Sequence, residues 1–459
     1  MKQAKLQLLV VSALMVSTLT GCNIYKKFQM PADTALRQEY VDARAAQLDP
    51  TELGNLPWEQ VFTDPMLADL INQALEANTN LENARINVEI AHAGLRGARL
   101  SYLPSFAIAA QGGASSYANG SLGNWNYTIP LTASWEIDAF GKLLNAKRNA
   151  EATQAQAEAY AQAVRSQIIG GVANCYYSIS ALSRQLELNR STAEIWRDNV
   201  ETMRRYKEAG RTNEAAVMQA DANYRSILAS ITDLESALHE ANLSMSLLLN
   251  VKPQSWAVNA SALTIPAELS NGVPMAQLAA RPDVRAAEAA VAVAYYATNQ
   301  ARAAFYPGLT ITANYGFTNL AGSIVRNPGE WFANLAGSLV APLFSRGQNI
   351  ARLEAAKLQQ QQAMNNFEYS LLSASAEVSG ALTTYDRANA KAEHLAVQVD
   401  DLVKASKYTA ELFKTADATY LEVLTAQSSL LGAQMSQISC ELARSQAIIN
   451  LYQSLGGGR

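Results

Sequence analysis

Residues 98–108 read A-R-L-S-Y-L-P-S-F-A-I and residues 301–311 read A-R-A-A-F-Y-P-G-L-T-I. In each, an arginine stands five residues ahead of a proline that opens a β-like run. Proline ends a helix, because it lacks the amide proton and restricts its predecessor, yet it is tolerated at the first residue of a strand. Arg99/Pro104 and Arg302/Pro307 therefore predict one helix-to-strand junction made twice, with Pro104 and Pro307 starting strands. A repeat this long makes each copy a half-molecule and not a solenoid unit.

Beyond each proline the period changes from helical to two. Phe106, Ile108 and Ala110 share one face. After a Gly/Ser/Asn-rich loop over residues 112–126, Tyr127, Ile129, Leu131, Ala133, Trp135 and Ile137 alternate with Thr128, Thr132, Ser134, Glu136 and Asp138. Pro130 is a misfit in that run, expected at a bulge or strand end. In the second copy Leu309, Ile311, Ala313, Tyr315 and Phe317 alternate with Thr310, Thr312, Asn314 and Thr318. Past a loop containing Asn327-Pro328-Gly329, a fourth run extends from Trp331 to Phe344. Each run has roughly the ten residues a tilted strand needs to cross a bilayer. Taken alone, the apolar faces could meet lipid or the core of a soluble sandwich.

The helices are longer. Ile168, Val172, Cys175, Ile179, Leu182, Leu186, Ala193, Trp196, Val200 and Met203 recur at heptad spacing. The chain reverses at Glu208-Ala209-Gly210-Arg211 and returns with Val217, Ala220, Tyr224, Ile227, Ile231, Leu234, Leu238 and Ala241, an antiparallel coiled-coil hairpin. Its outgoing arm would be on the order of 100 Å long. The second copy repeats it. Phe367, Leu371, Ala374, Val378, Ala381, Tyr385, Leu395, Val399 and Leu402 lead out, residues 415–419 turn, and Leu421, Leu424, Leu431, Met435, Ile438 and Leu442 lead back. Between the copies the offset drifts from 203 residues (Pro104 to Pro307) to 207 (Tyr206 to Phe413).

At the N-terminus Lys2 and Lys5 precede an apolar run from Leu6 to Leu19, too short to span a bilayer and shaped like a signal peptide. It ends in Leu19-Thr20-Gly21-Cys22, which resembles the lipobox of bacterial lipoproteins. That resemblance implies cleavage before Cys22 and lipidation of its thiol. Asn23 stands where an Asp would retain a lipoprotein at the inner membrane, so it also implies export to the outer membrane.

The expected organisation is a signal peptide over 1–21, a lipidated linker over 22–64 and a first repeat over 65–250. The second repeat runs over 275–455 after a Pro-punctuated connector at 251–274. Strands are expected at about 104–138 and 307–344, and helical hairpins at about 141–250 and 347–455. Among 459 residues, 49% are hydrophobic but only 8% aromatic, and the Ala-rich apolar share suits long, closely packed helices. The net charge of -4 leaves no electrostatic footprint for nucleic acid.

Chemistry-bearing motifs are missing. There is no nucleophile elbow, phosphate loop, HExxH or paired-Cys metal spacing, so neither an enzyme nor a metal or other cofactor is expected, the lipid on Cys22 apart. His92, His239 and His394 are isolated, and the methionines show no clustering that would mark a dedicated copper or silver channel. Cys175 and Cys440 do not occupy equivalent places in the repeats, so buried free thiols are expected, with a bridge left open. Gly456-Gly457-Gly458 is expected to be a flexible end.

The segments that carry a family resemblance are residues 58–67, the two Arg-to-Pro junctions, Trp135-Glu136-Ile137-Asp138-Ala139-Phe140-Gly141-Lys142, Tyr206-Lys207-Glu208-Ala209-Gly210, Val423-Leu424-Thr425-Ala426-Gln427 and residues 451–457. In this order and spacing, which cover almost the whole mature chain, the protein resembles the TolC-like outer membrane factors of the OprM/NodT-type lipoprotein branch. The resemblance implies an internally duplicated α+β membrane protein. Four transmembrane strands per protomer would make a twelve-stranded barrel in a homotrimer, continuous with a periplasmic α-barrel of coiled-coil helices. It implies a passive exit duct for drugs or other small toxic compounds. The duct would sit in outer membrane lipid, fed by a proton-driven inner-membrane transporter through a periplasmic adaptor. The junctions would then lie where tunnel helices become barrel strands.

The resemblance also places the periplasmic mouth at the two helical turns. The first carries Arg204, Arg205, Lys207 and Arg211, and the second Asp417, Tyr420 and Glu422. Charged pairs among them would close the pore; as solvated helix ends they would each be worth little. Thr425 stands where relatives often place a gating Asp and Ala416 where they have a turn Gly, so Glu422 is the candidate for an acidic constriction. Two alternatives remain. One is the exit duct of a type I protein secretion system; the other is a structural coiled-coil envelope lipoprotein whose strands form a soluble sandwich.

Overall fold

A computed structural model describes residues 25–44, 52–113, 126–258, 275–318, 330–415 and 419–458. The signal peptide, Cys22, residues 327–329, Ala416 and Asp417 lie outside them. In chain order the elements are α1 (Ala35–Arg44), a 3-10 turn (Leu53–Asn55), α2 (Trp58–Val61), α3 (Pro65–Ala77), α4 (Thr79–Leu100), β1 (Ser105–Ile108), β2 (Gln111–Gly113) and β3 (Asn126–Ile137). There follow α5 (Lys142–Glu208), α6 (Glu214–Leu248), α7 (Met275–Ala280), α8 (Pro282–Ala303), β4 (Gly308–Thr318), β5 (Glu330–Val340), α9 (Gln348–Lys414) and α10 (Tyr420–Ser454). The described residues are mostly helical, with one small antiparallel sheet.

The duplication is visible in element lengths. α4 and α8 each have 22 residues, α5 and α9 each 67, and α6 and α10 each 35. It is also visible bond by bond at the junctions. Ser101, Tyr102 and Leu103 donate their amides to the carbonyls of Gly97, Arg99 and Leu100, and Ala304, Phe305 and Tyr306 donate to Gln300, Arg302 and Ala303. Arg99 and Arg302 thus end their helices identically, through their carbonyls. Pro104 and Pro307 each stand one residue ahead of a strand.

The chain divides into two compact units, one of Met1–Ala32, Ile86–Glu158 and Ala286–Glu368, the other of Asp33–Arg85, Ala159–Arg285 and Tyr369–Arg459. The first holds the sheet, in the order β1-β3-β4-β5 with β2 also paired to β3. β1 and β2 form one strand broken opposite Pro130, whose carbonyl accepts from Ala109 but which has no proton to return. Pro130 is therefore neither at a bulge nor at a strand end. It sits mid-strand, opposite Gly316 of β4, where a Cβ would come within 2.2 Å of the Ile129 carbonyl oxygen. The glycine lets the proline-bearing backbone approach. The fourth run stops at Val340 rather than Phe344, because Pro342 cannot pair and leaves Leu343 and Phe344 exposed.

In the second unit α5 and α10 run antiparallel, tied by Arg184–Glu441 at 2.7 Å and Gln185–Ser439 at 2.9 Å, while Arg190–Glu235 at 2.6 Å ties α5 to α6. The heptad residues Ile168, Val172, Ile179, Leu186, Ala193, Trp196, Val200 and Met203 are buried. Leu421, assigned to the returning seam, is exposed instead: it falls in the first turn of α10, before that helix enters the packed layer. Cys440 is buried and donates to the Ala388 carbonyl, and both Cys175 and Cys440 are free thiols. Tyr369, Leu372, Val397 and Tyr408 on α9 are exposed, and no described residue covers them.

Two sequence expectations fail in this unit. Much of the described part of the linker expected over 22–64 is folded, since it forms α1, the 3-10 turn and α2 between its prolines, with Tyr40 and Phe62 fully buried. The Gly456-Gly457-Gly458 tail is not flexible. It is buried, with the Gly457 carbonyl accepting from Ser166 Oγ at 2.5 Å and the Gly458 carbonyl from Arg165 Nη1 at 2.6 Å. The glycines serve close approach: a Cβ on Gly457 would stand 2.3 Å from the Tyr452 ring.

The repeat also grips the same carbonyl twice. Asn78 Nδ2, just before α4, donates to the Leu248 carbonyl at 2.8 Å, and Arg281 Nη1, just before α8, donates to the Ser454 carbonyl at 2.7 Å. Arg281 additionally holds Asp283 and Glu377, each at 2.7 Å. Burial pushes the Asp283 carboxyl up, but the Arg281 guanidinium outweighs it and leaves the group below its usual value.

Candidate functional site

Alternation along four antiparallel strands sorts their side chains onto two faces. Phe106, Ile108, Leu131, Trp135, Tyr315, Trp331, Leu335 and Leu339 share one face and are exposed. Phe317 packs against Trp331 across β4 and β5, the rings tilted by 50° with centroids 3.9 Å apart. The opposite face is polar. Thr132 Oγ1 donates to Asn314 Oδ1 at 2.7 Å, and the Thr128 and Thr318 hydroxyls meet at 3.2 Å. Among the described residues no second sheet covers the apolar face. The outer edges of β1/β2 and β5 are likewise unpaired among them, an arrangement that hydrocarbon forbids until the edges close. No described helix is long and apolar enough to cross a membrane.

The second part of the site is the pair of helical turns. Gly210 takes a φ of +70°, and the Arg211 amide reaches back to the Tyr206 carbonyl at 2.8 Å, which ends α5. Asn213 then caps α6 by accepting from the Ala216 amide. At the other turn Thr419 precedes α10, and its amide donates to Glu422 Oε2 at 2.6 Å. Glu422 is thus turned back onto its own helix start, half of a capping box. The turns meet through aromatic rings: Tyr206 lies 6.0 Å from Phe413, which lies 5.2 Å from Tyr420. Below them Trp196, Val200, Met203, Val217, Ala220, Ile227 and Leu424 form one apolar cluster.

The described charges at the turns that pair do so locally. Arg205 pairs with Glu201 of its own helix at 2.5 Å, and Lys207 with Glu214 across the turn. Arg204 and Arg211 are exposed and have no ion partner among the described residues. No ion pair between the two turns occurs among those residues. Thr425 is exposed and donates back to the Leu421 carbonyl at 2.8 Å. What sequence reasoning missed is the uncharged bridge from Asn199 Nδ2 to Gln427 Oε1 at 2.9 Å, and the ring contact of Tyr206 with Phe413. The second was hinted at, since those two residues are repeat equivalents. Among the described residues no group of three or more His, Cys, Asp or Glu is placed to hold a metal ion.

Burial, then Tyr206, pushes the Tyr420 phenol above the usual tyrosine range, and its hydroxyl is buried without a hydrogen-bond partner among the described residues. An unmade buried hydrogen bond costs about 1–3 kcal/mol. Tyr420→Phe is therefore expected to hold or raise the melting temperature of the purified protein; a fall of several degrees would show that the hydroxyl has a partner.

The family model described as outer membrane efflux protein matches residues 70–251 and 273–457. The chain is 28% identical to the cation efflux system protein CusC of Escherichia coli O157:H7 over 96% of each chain. A solved CusC structure superposes with a TM-score of 0.79 at 26% identity, covering 94% of this chain and 98% of that one. The probable outer membrane lipoprotein SilC of Salmonella typhimurium is 27% identical over 99% of both chains. The toluene efflux pump outer membrane protein TtgC of Pseudomonas putida is 26% identical, over 96% of this chain and 93% of its own.

Proposed function

The chain belongs to the outer membrane efflux protein family, a family of outer membrane channels and not enzymes, and on that premise we propose that it is the exit duct of a tripartite efflux system. Three copies close their four-stranded sheets into one twelve-stranded barrel. The observation that supports this most is the single-layer sheet with an exposed apolar face, a polar face and two open edges. Such a sheet is stable in a bilayer only when partner strands complete it. The exposed apolar side chains of α9 make the same demand on the helices.

In this reading the duct is passive. An inner-membrane transporter, proton-driven, and a periplasmic adaptor supply substrate and energy, and Cys22 carries the lipid that SilC's name attributes to that relative. The relatives are named for cations and for toluene at nearly equal identity, so the substrate class proposed is small toxic compounds in general. The helical turns form the mouth. Because Glu422 is occupied in capping and Arg205 and Lys207 are paired locally, closure there rests on the Tyr206–Phe413–Tyr420 contacts and the Asn199–Gln427 bridge, with Arg204 and Arg211 left for contacts between protomers.

The test is direct. Purified in detergent, the protein should sediment as a trimer that resists dissociation until heated, and in planar bilayers it should conduct ions. A monomer that neither inserts nor conducts overturns the duct and returns the envelope-tether reading. Loss of protein export rather than of toxin resistance in a deletion strain would favour the secretion duct.

A further inference from the structure

Residues 25–28, the first described, adopt no regular secondary structure yet are held at five points. The Tyr25 side chain is buried, its carbonyl accepts from Arg148 Nη1 at 2.9 Å, and its ring covers Gly141, where a Cβ would stand 3.0 Å from Tyr25 Cδ2. The Phe28 amide donates to the Tyr296 hydroxyl at 3.0 Å, and the Tyr295 hydroxyl donates to the Lys26 carbonyl at 3.3 Å. The Phe28 and Tyr295 rings stand 5.6 Å apart. Arg148 comes from the start of α5, Gly141 from the short link between β3 and α5, and the two tyrosines from α8. A segment gripped by side chains of two separate helices, with no fold of its own, has been given a fixed place.

That place is the helix-bearing end of the sheet. β3 ends at Ile137, and β1, β4 and β5 also join their helices at this end. Leu100, Leu103, Phe305, Tyr306, Leu343 and Phe344 are exposed there, an apolar collar around the strand ends. Cys22 precedes Tyr25 by three residues and so can reach no further than about 10 Å from it.

We propose that Arg148, Tyr295, Tyr296 and Gly141 form a clamp that seats the acylated N-terminus at the helix-bearing strand ends, so that the lipid enters the same leaflet as this apolar collar. The inference rests on the reading of Cys22 as lipidated. The acyl anchor and the strands then enter the membrane as one body, at a matched depth, instead of through a free tether. Arg148 and Tyr296 are positioning residues: they touch the backbone of the leader segment and not the lipid.

The experiment uses the full-length mature channel, purified in detergent and exposed to trypsin, with the N-terminal fragment identified by mass. Lys26 and Lys27 are exposed but sit in clamped backbone, so the wild type should be cut there slowly. Arg148→Gln combined with Tyr296→Phe removes two hydrogen bonds and should speed cleavage at these lysines on the order of tenfold, since proteolysis follows local opening. Equal rates overturn the clamp. Should the double variant fail to assemble, Tyr296→Phe alone, which deletes a single acceptor, answers the same question with a smaller increase. The fragment's mass separates the two readings: faster cleavage of a fragment without an acyl group upholds the clamp but ends its role in seating a lipid.

Discussion

Leu335→Arg should abolish accumulation of the channel in the outer membrane. Leu335 is the midpoint of β5, is 75% exposed, and lies on the face shared with Trp331 and Leu339. Its cross-strand partner is Ala313, with Tyr315 and Ile311 flanking on the same face. An arginine on the lipid face at the bilayer midplane costs about 2–4 kcal/mol per copy, and three copies would bear it together. Asn334, one residue earlier, pairs with Asn314 on the polar face. Asn334→Arg should therefore assemble normally and shift the ion selectivity of the pore. Membrane fractionation and heat-modifiable trimers on unboiled gels read the first result, and planar-bilayer reversal potentials read the second. If the arginine at 334 were lethal and that at 335 harmless, the faces would be assigned the wrong way round.

Gly457→Val should destabilise the protein by about 3 kcal/mol or more, the upper end for overpacking. The added Cβ meets the ring of Tyr452, and that ring cannot yield. Its hydroxyl donates to the Leu56 carbonyl at 2.9 Å and accepts from the Gly458 amide at 2.8 Å. Its face packs edge-on against Phe62 at 5.8 Å. Forcing the tail out also strands the Ser166 and Arg165 donors that now hold it. Gly210→Ala is the control. Gly210 has a positive φ but nothing within 4 Å of a Cβ, so only the backbone cost of about 1 kcal/mol applies. Thermal melts of the two variants should differ clearly, and equal melting temperatures would mean the tail is not packed as described.

The elements were legible because their signals are local. A proline that opens a period of two, an apolar heptad and a glycine after a basic helix end each describe a few adjacent residues, and β1, β3, β4, α5 and α10 follow from them. The misjudged positions share the opposite property. Pro130 looked like a strand end because the residue that accommodates it, Gly316, is 186 positions away in sequence. The glycine tail looked flexible because its partners, Ser166 and Arg165, lie nearly three hundred residues earlier. At the turns, by contrast, the described charges pair with near neighbours in sequence: Glu422 accepts from the Thr419 amide and Arg205 pairs with Glu201. Short-range capping and i,i+4 pairing need no chain closure, so they win where geometry permits both.

Periodicity and turn chemistry were enough to establish a twice-repeated chain of strands and coiled-coil helices, because each element's pattern is written along its own length. Which face of the sheet is bare, what holds the leader segment and the tail, and how the two turns touch are properties of residues brought together from distant parts of the chain. Only packing decides those, since the energy of a contact depends on the neighbour that folding supplies and not on the residue that waits for it.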